Sequence, residues 1–120
     1  MEEYMLGLVE TKFAEIIWTN EPLTSRELVQ LCQSELEWKK STTYTVLKKL
    51  CDKGYFKNEN GIVSSMIGKS EYFAMQSEKF VEETFDGSLP AFLAAFTKRK
   101  NLTAQEIAQI RSLIGGFQEV

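Results

Sequence analysis

Residues 38–66 read WKKSTTYTVLKKLCDKGYFKNENGIVSSM, and two different periodicities of apolar residues follow one another in this stretch. Up to Gly54 the apolar side chains recur at helical spacing, which predicts a helix that begins near Lys40 or Ser41 and ends before the glycine. After Gly54, short strand-forming runs at 55–57 and 62–66 flank Asn60-Gly61, a dipeptide that tolerates positive φ. The stretch therefore predicts a helix followed by a two-stranded hairpin.

Two more helices are predicted upstream of this stretch. Val9, Phe13 and Ile17 recur at the spacing of an amphipathic helix, expected from about residue 8 to residue 18. Thr24 and Glu27 form a capping box that opens a second helix, expected to end near residue 36. Three helices and a hairpin are the order of a winged helix-turn-helix. The predicted fold class is mainly α (α+β), with a winged helix-turn-helix DNA-binding domain at residues 1–69.

The third helix has an apolar face and an opposite polar face with basic surroundings. Between Trp38 and Lys57 lie six lysines and one aspartate, so this window carries +5 and leaves −8 for the rest of a chain whose total is −3. Hydroxyls and lysines on one helix face can bond base edges and phosphates in a major groove, although a solvated helix surface would look similar. The candidate DNA-binding residues are Lys39, Lys40, Ser41, Thr42, Tyr44, Thr45, Lys48, Lys49 and Lys57.

Residues 70–120 predict a tail of three helices, the first with Phe73 and Phe80 facing inward. Ser88 is expected to cap the second helix, and Thr103 with Glu106 the third. The tail holds more aromatic surface than so short a segment can hide, which favours packing against the tail of a second chain. Packing against the DNA-binding domain of the same chain is the alternative. The candidate dimerisation residues are Phe80, Phe85, Phe92, Leu93, Phe96, Ile107, Ile110 and Ile114.

Composition argues against several other classes of protein. The 120 residues include no His and no paired-cysteine motif, so neither a metal site nor a cofactor is expected, and an enzyme is a poor interpretation. Cys32 and Cys51 are expected to be free core thiols. The acidic N-terminus and the absence of a long apolar run predict a cytoplasmic protein that does not insert into membranes. Two alternatives stay open: a winged-helix adaptor that binds proteins with little specific DNA binding, and a helical scaffold or small enzyme with a nucleophilic cysteine.

The chain resembles the penicillinase-repressor (BlaI/MecI/CopY) family of bacterial transcription regulators over nearly its full length. The resemblance lies in residues 13–18 (FAEIIW), 23–28 (LTSREL), 38–54, 77–96 (SEKFVEETFDGSLPAFLAAF) and 102–107 (LTAQEI). It implies a homodimeric, sequence-specific repressor that binds double-stranded operator DNA of palindromic sequence and regulates antibiotic-resistance or stress genes. It also implies that Ser41, Thr42, Tyr44 and Thr45 occupy the positions that read DNA.

The chain departs from the family pattern at several positions. Resistance regulators of the family are cut at an Asn–Phe bond through a membrane sensor protease, and the matching bond here, Ala95–Phe96, lacks the Asn, so this partnership is in doubt. The C-terminal CxC pairs of the copper-responsive branch are absent. Tyr44 stands where the resistance repressors commonly carry Arg, which predicts a different operator sequence because Tyr lacks the guanidinium fork that reads guanine.

Overall fold

A computed structural model describes residues 4–119 and confirms a winged helix followed by a helical tail. The described residues form six α-helices and three short strands. In chain order they are α1 (Leu8–Asn20), β1 (Leu23–Thr24), α2 (Ser25–Leu36), α3 (Lys40–Asp52), β2 (Phe56–Glu59), β3 (Ile62–Ser65), α4 (Lys69–Phe85), α5 (Leu89–Arg99) and α6 (Ala104–Gly115). Contacts divide the chain into two compact units, and the division falls within α4, between Ser77 and Glu78. The domain boundary expected after residue 69 stays a prediction.

Side-chain caps define the ends of the first two helices. The Oγ1 of Thr24 accepts a hydrogen bond from the Glu27 N–H at 3.0 Å, and the Glu27 carboxylate accepts from the Thr24 N–H at 3.2 Å. This is the predicted capping box, and α2 begins directly after it. The first helix is longer than predicted, because it continues to Asn20, whose side-chain amide donates to the Ile16 carbonyl at 2.7 Å.

The core of the first unit is formed by the inner faces of the three N-terminal helices and by the sheet. Phe13, Leu28 and Leu50, one from each helix, are fully buried and hold the helices together by apolar burial. Cys32 is buried as expected, whereas Cys51 is only partly buried. Val9 shares the apolar spacing that predicted α1, but its side chain is exposed at the first turn of the helix and does not join the core.

The first turn of α4 packs on this core through Tyr72. Its ring is fully buried, and its hydroxyl accepts a hydrogen bond from the Leu6 N–H at 3.2 Å. Nearby, the indole N–H of Trp18 donates to the Ile67 carbonyl at 3.0 Å. Phe73, which was expected to face inward, is exposed and contacts Trp18 with its ring, so the helix is rotated by one residue from the prediction.

The wing is a three-stranded antiparallel sheet in the order β1-β3-β2. In the hairpin, Phe56 pairs with Ser65 and Glu59 with Ile62. The first strand begins one residue and ends two residues later than predicted, whereas the second begins at Ile62 as predicted and ends one residue earlier. Asn60 and Gly61 have φ of 53° and 80° and make the predicted turn. The third strand was not predicted: Leu23 of β1 pairs with Val63 and joins the wing to the segment before α2.

The second unit contains the end of α4 with α5 and α6. Both predicted caps are present: the Oγ of Ser88 accepts from the Ala91 N–H at 3.1 Å, and the Oγ1 of Thr103 from the Glu106 N–H at 3.0 Å. Asp86 and Gly87, with φ of 51° and 79°, reverse the chain after α4. Within the described residues of this unit, 78–119, every side chain is at least partly accessible to solvent.

Candidate nucleic-acid interface

The third helix presents its polar face to solvent, as the sequence predicts. Thr43, Leu47 and Leu50 are buried in the core, and the Oγ1 of Thr43 donates to the Lys39 carbonyl at 3.3 Å. The positions expected to contact DNA on α3 are all exposed: Lys40, Ser41, Thr42, Tyr44, Thr45, Lys48 and Lys49. The helix is therefore seated by one face and free to enter a groove with the other.

The start of α3 is held in place by Trp38. Its ring stacks on Phe13 with centroids 5.6 Å apart and an interplanar angle of 22°, and its backbone N–H donates to the Cys32 carbonyl at 3.2 Å. The residue before it, Glu37, has φ of 57° and ends α2. The N-terminus of α3 is thereby fixed on the core with no acidic residue in its first turn, which leaves its backbone N–H groups suited to an anion such as a phosphate.

The side chain of Tyr44 is oriented by its neighbours on two helices. Its hydroxyl donates to the Oγ of Ser25, the first residue of α2, at 3.4 Å. The ammonium of Lys40 lies 6.0 Å from the centre of its ring. Tyr44 also lines a groove between α3 and the wing, together with Lys48, Cys51 and Asn58. Tyr44 is thus held on the exposed side of the helix-turn-helix. There its ring can stack on a ligand group and its hydroxyl can donate a hydrogen bond.

The wing contributes one candidate residue, Lys57. Its ammonium lies 3.8 Å from a carboxylate oxygen of Glu59, and both side chains are exposed. The base of the wing is fixed by Glu21, whose carboxylate accepts hydrogen bonds from the N–H of Ser65 at 2.9 Å and from its hydroxyl at 2.8 Å. The hairpin is therefore held at its base, while its charged residues face solvent.

Lys49 forms a closer ion pair than Lys57, and its acidic partner lies on a different helix. Its ammonium lies 3.0 Å from the carboxylate of Glu10 on α1. Contact with the Tyr4 hydroxyl and with Glu10 raises the pKa of Lys49 above its ordinary value. Burial raises the pKa of Glu10, but hydrogen bonds from the Gly7 N–H, Lys49 and Tyr4 outweigh it, so its pKa is lowered. Sequence reasoning missed this pair because no local pattern links positions so far apart.

The predicted dimerisation residues lie in one aromatic cluster and on the exposed surface of the second unit. Phe92 contacts Phe80, Phe85 and Phe96 with ring centroids 5.7–6.1 Å apart. Phe80 is nevertheless 50 % exposed and Phe96 42 %. Leu93 and Ile110 are partly buried, and Ile107 and Ile114 are exposed. Three further exposed apolar side chains were not predicted: Leu89, Leu113 and Phe117.

The bond that matches the family cleavage site lies inside a helix. Ala95 and Phe96 are in the second half of α5, which runs to Arg99. Ala95 is partly buried and Phe96 exposed. A protease would have to unwind this turn to bind the bond in an extended conformation.

Among the described residues, no group of three or more Cys, Asp or Glu side chains is placed to hold a metal ion. No helix within residues 4–119 is long and apolar enough to cross a membrane.

Comparison with known proteins agrees with this geometry. The sequence model of the penicillinase repressor family matches residues 6–116. The methicillin resistance regulatory protein MecI of Staphylococcus aureus (strain Mu50) is 23 % identical over 115 residues, which cover 92 % of this chain and 94 % of MecI. The penicillinase repressor of Bacillus licheniformis is 20 % identical over 109 residues, or 88 % of this chain and 85 % of that repressor. The chain therefore belongs to the penicillinase repressor family, whose members are DNA-binding transcriptional repressors and not enzymes.

Proposed function

We propose that the chain is a homodimeric repressor whose α3 enters the major groove of a palindromic operator. The observation that carries this proposal is the exposed face of α3, where hydroxyls, a tyrosine and lysines stand on a helix anchored by its opposite side and free of carboxylates before Asp52. Such a face can donate to base edges and to phosphates at the same time. Ser41, Thr42, Tyr44 and Thr45 position the helix and read bases in this proposal.

The lysines supply attraction that does not depend on sequence. Lys39, Lys40 and Lys48 surround the reading face, Lys57 lies on the wing, and Lys49 lies on the flank of α3. Each phosphate contact releases condensed counterions, so the logarithm of the binding constant falls with the logarithm of salt concentration by about 0.9 per contact. With several contacts per protomer, binding is expected to weaken steeply as salt rises.

The second unit of the chain supports the proposed dimer. The aromatic cluster around Phe92 and the exposed side chains of α6 leave apolar surface that one copy does not cover. A two-fold dimer buries the same surface on both chains and presents two copies of α3 to half-sites about one helical turn, or a multiple of it, apart. Repression then results from occupation of promoter DNA. The names of the relatives support antibiotic-resistance genes as a target class.

Fluorescence anisotropy tests the proposal directly. The full chain is titrated onto a fragment of its own promoter and onto a scrambled fragment of equal length, each at two salt concentrations. We expect saturable binding to the promoter that is at least about a hundredfold tighter than binding to the scrambled DNA. Equal and weak binding to both fragments would contradict specific recognition and favour the protein-interaction adaptor.

A further inference from the structure

The carboxylate of Glu10 is held by several groups at once. The Tyr4 hydroxyl donates to its two oxygens at 3.0 and 2.9 Å, and the Gly7 N–H donates to Oε1 at 3.0 Å. The ammonium of Lys49 completes the set at 3.0 Å from Oε2. The Glu10 side chain is 17 % exposed and that of Lys49 is 51 % exposed, so the lysine reaches a fixed acceptor from the solvent side.

The same site holds a second lysine from the end of α3. The ring of Tyr4 has the ammonium of Lys53 at 4.9 Å from its centre and that of Lys49 at 5.5 Å, which is the range of a cation–π interaction. The carbonyl of Tyr4 in turn accepts a hydrogen bond from the hydroxyl of the buried Tyr55, which fixes the segment before α1 on the core. Two positive charges on the flank of α3 are thus bound within the fold.

We infer that Glu10 competes with DNA phosphate for Lys49 and thereby limits the affinity of the protein for DNA. The inference rests on the proposed function. If Lys49 moved to a phosphate, the fixed and partly buried Glu10 carboxylate would lose its ionic partner, and that loss offsets part of the gain at the DNA. Lys48, one residue earlier, is exposed and lies within 4.0 Å of no carboxylate in the described part of the chain. The two adjacent lysines therefore differ in what each contributes to binding.

The substitution Glu10→Gln isolates this competition. Glutamine serves at the third position of a capping box, so the side chain can still accept from the Gly7 N–H, while its charge is lost. The matched control is Glu15→Gln on the same helix, which also removes one negative charge and breaks one ion pair, that with Lys69 at 3.0 Å. Circular dichroism melting establishes that each variant is folded.

Anisotropy titrations over a range of salt concentrations provide the test. We expect Glu10→Gln to bind promoter and scrambled DNA several-fold more tightly and to steepen the salt slope by about 0.9, the value for one added phosphate contact. Glu15→Gln should leave the slope unchanged. Lys49→Ala alone should weaken binding less than Lys48→Ala, and the double variant Glu10→Gln/Lys49→Ala should bind like Lys49→Ala.

Two results would overturn the inference while leaving the proposed function intact. One is a Glu10→Gln variant whose affinity for DNA and salt slope equal those of the wild type. The other is a double variant that binds as tightly as Glu10→Gln alone, because the gain would then come from the lost negative charge and not from the release of Lys49. Absence of DNA binding by the wild type and all variants would contradict the proposed function itself, and the competition with it.

Discussion

The hydroxyl of Tyr44 lies 3.4 Å from the Oγ of Ser25, and this contact joins the exposed face of α3 to the first turn of α2. In the protein without DNA, this contact already orients the Tyr44 side chain, which is expected to read bases. We expect Tyr44→Ala to reduce discrimination against operators changed at the base it contacts by about 1–3 kcal/mol. Binding to the unchanged operator and to a panel of single-base variants measures this.

Lys48→Ala is the matched comparison for Tyr44→Ala, since Lys48 is an exposed residue on the same helix. A phosphate contact carries no sequence information, so this substitution should weaken binding to all fragments alike and lower the salt slope by about 1. Equal loss on every fragment from both variants would refute the separation of base-reading and phosphate-binding roles.

The proposed dimer predicts that apolar substitutions in the tail weaken self-association. Ile114 is 52 % exposed on α6. Ile114→Ser should therefore lower the stability of a single chain little and weaken the association of two chains more. We expect the dimer dissociation constant, measured by sedimentation equilibrium, to rise at least about tenfold. Leu8→Ser is the control, because Leu8 is 78 % exposed but lies in the first unit. The same loss from both variants, or from neither, would contradict the assignment of the interface.

Tyr72→Phe should lower the free energy of unfolding by about 1–3 kcal/mol. The buried hydroxyl accepts the hydrogen bond of the Leu6 N–H at 3.2 Å, and phenylalanine would leave that donor buried without a partner. Denaturant unfolding measures the change. Tyr44→Phe removes an exposed hydroxyl and should stay within about 0.5 kcal/mol of the wild type. A neutral Tyr72→Phe would show that water replaces the lost acceptor.

The ion pair of Glu10 predicts a specific dependence of stability on pH. Because the folded protein lowers the pKa of Glu10 from 4.5, its ionised form favours folding above that pH, and the contribution is lost as pH falls through the folded-state pKa. The raised pKa of Lys49 contributes stability that is complete below pH 10.5 and is lost only as pH rises above that value. The Lys49 contribution is therefore constant in the acidic range where Glu10 titrates. The stability difference between wild type and Glu10→Gln should therefore narrow below pH 4.5. A difference that is constant across this window would contradict the prediction.

The two thiols should react slowly and in a fixed order. Burial raises the pKa of Cys32 to about 11, and burial followed by the nearby Asp52 raises that of Cys51. Little thiolate is present at neutral pH, so a chromogenic disulfide should label Cys51 slowly and Cys32 more slowly still. Denaturant should make both fast. Cys51→Ser should leave only the slowest phase, and rapid native labelling of Cys32 would contradict its place in the core.

Sequence alone predicted the helices well because their signals are local. The capping residues Thr24, Ser88 and Thr103 each determine the start of a helix through hydrogen bonds within four positions, and all three caps are present. The exposed face of α3 was also predictable, since one helical period relates Thr43 to Leu47 in the core and Tyr44 to Lys48 in solvent.

The features that were missed depend on distant partners. The strand β1 has two residues and no periodicity of its own, and it exists because Leu23 pairs with Val63. Val9 matched the apolar spacing of α1, but spacing predicts only which face of a helix is apolar. It does not show how far along the helix other elements cover that face, and Val9 is exposed. The pairing of Glu10 with Lys49 arises from the packing of α1 beside α3 and has no signature in either helix.

The absence of a fully buried side chain among the described residues 78–119 has a consequence for gene control. In the proposed dimer, the tails of two chains bury their apolar surface against each other, so at low abundance the dimer concentration scales with the square of chain concentration. Operator occupancy then falls faster than protein level as the protein is diluted. In the proposed repressor, halving the protein level at low abundance would therefore lower the dimer concentration about fourfold.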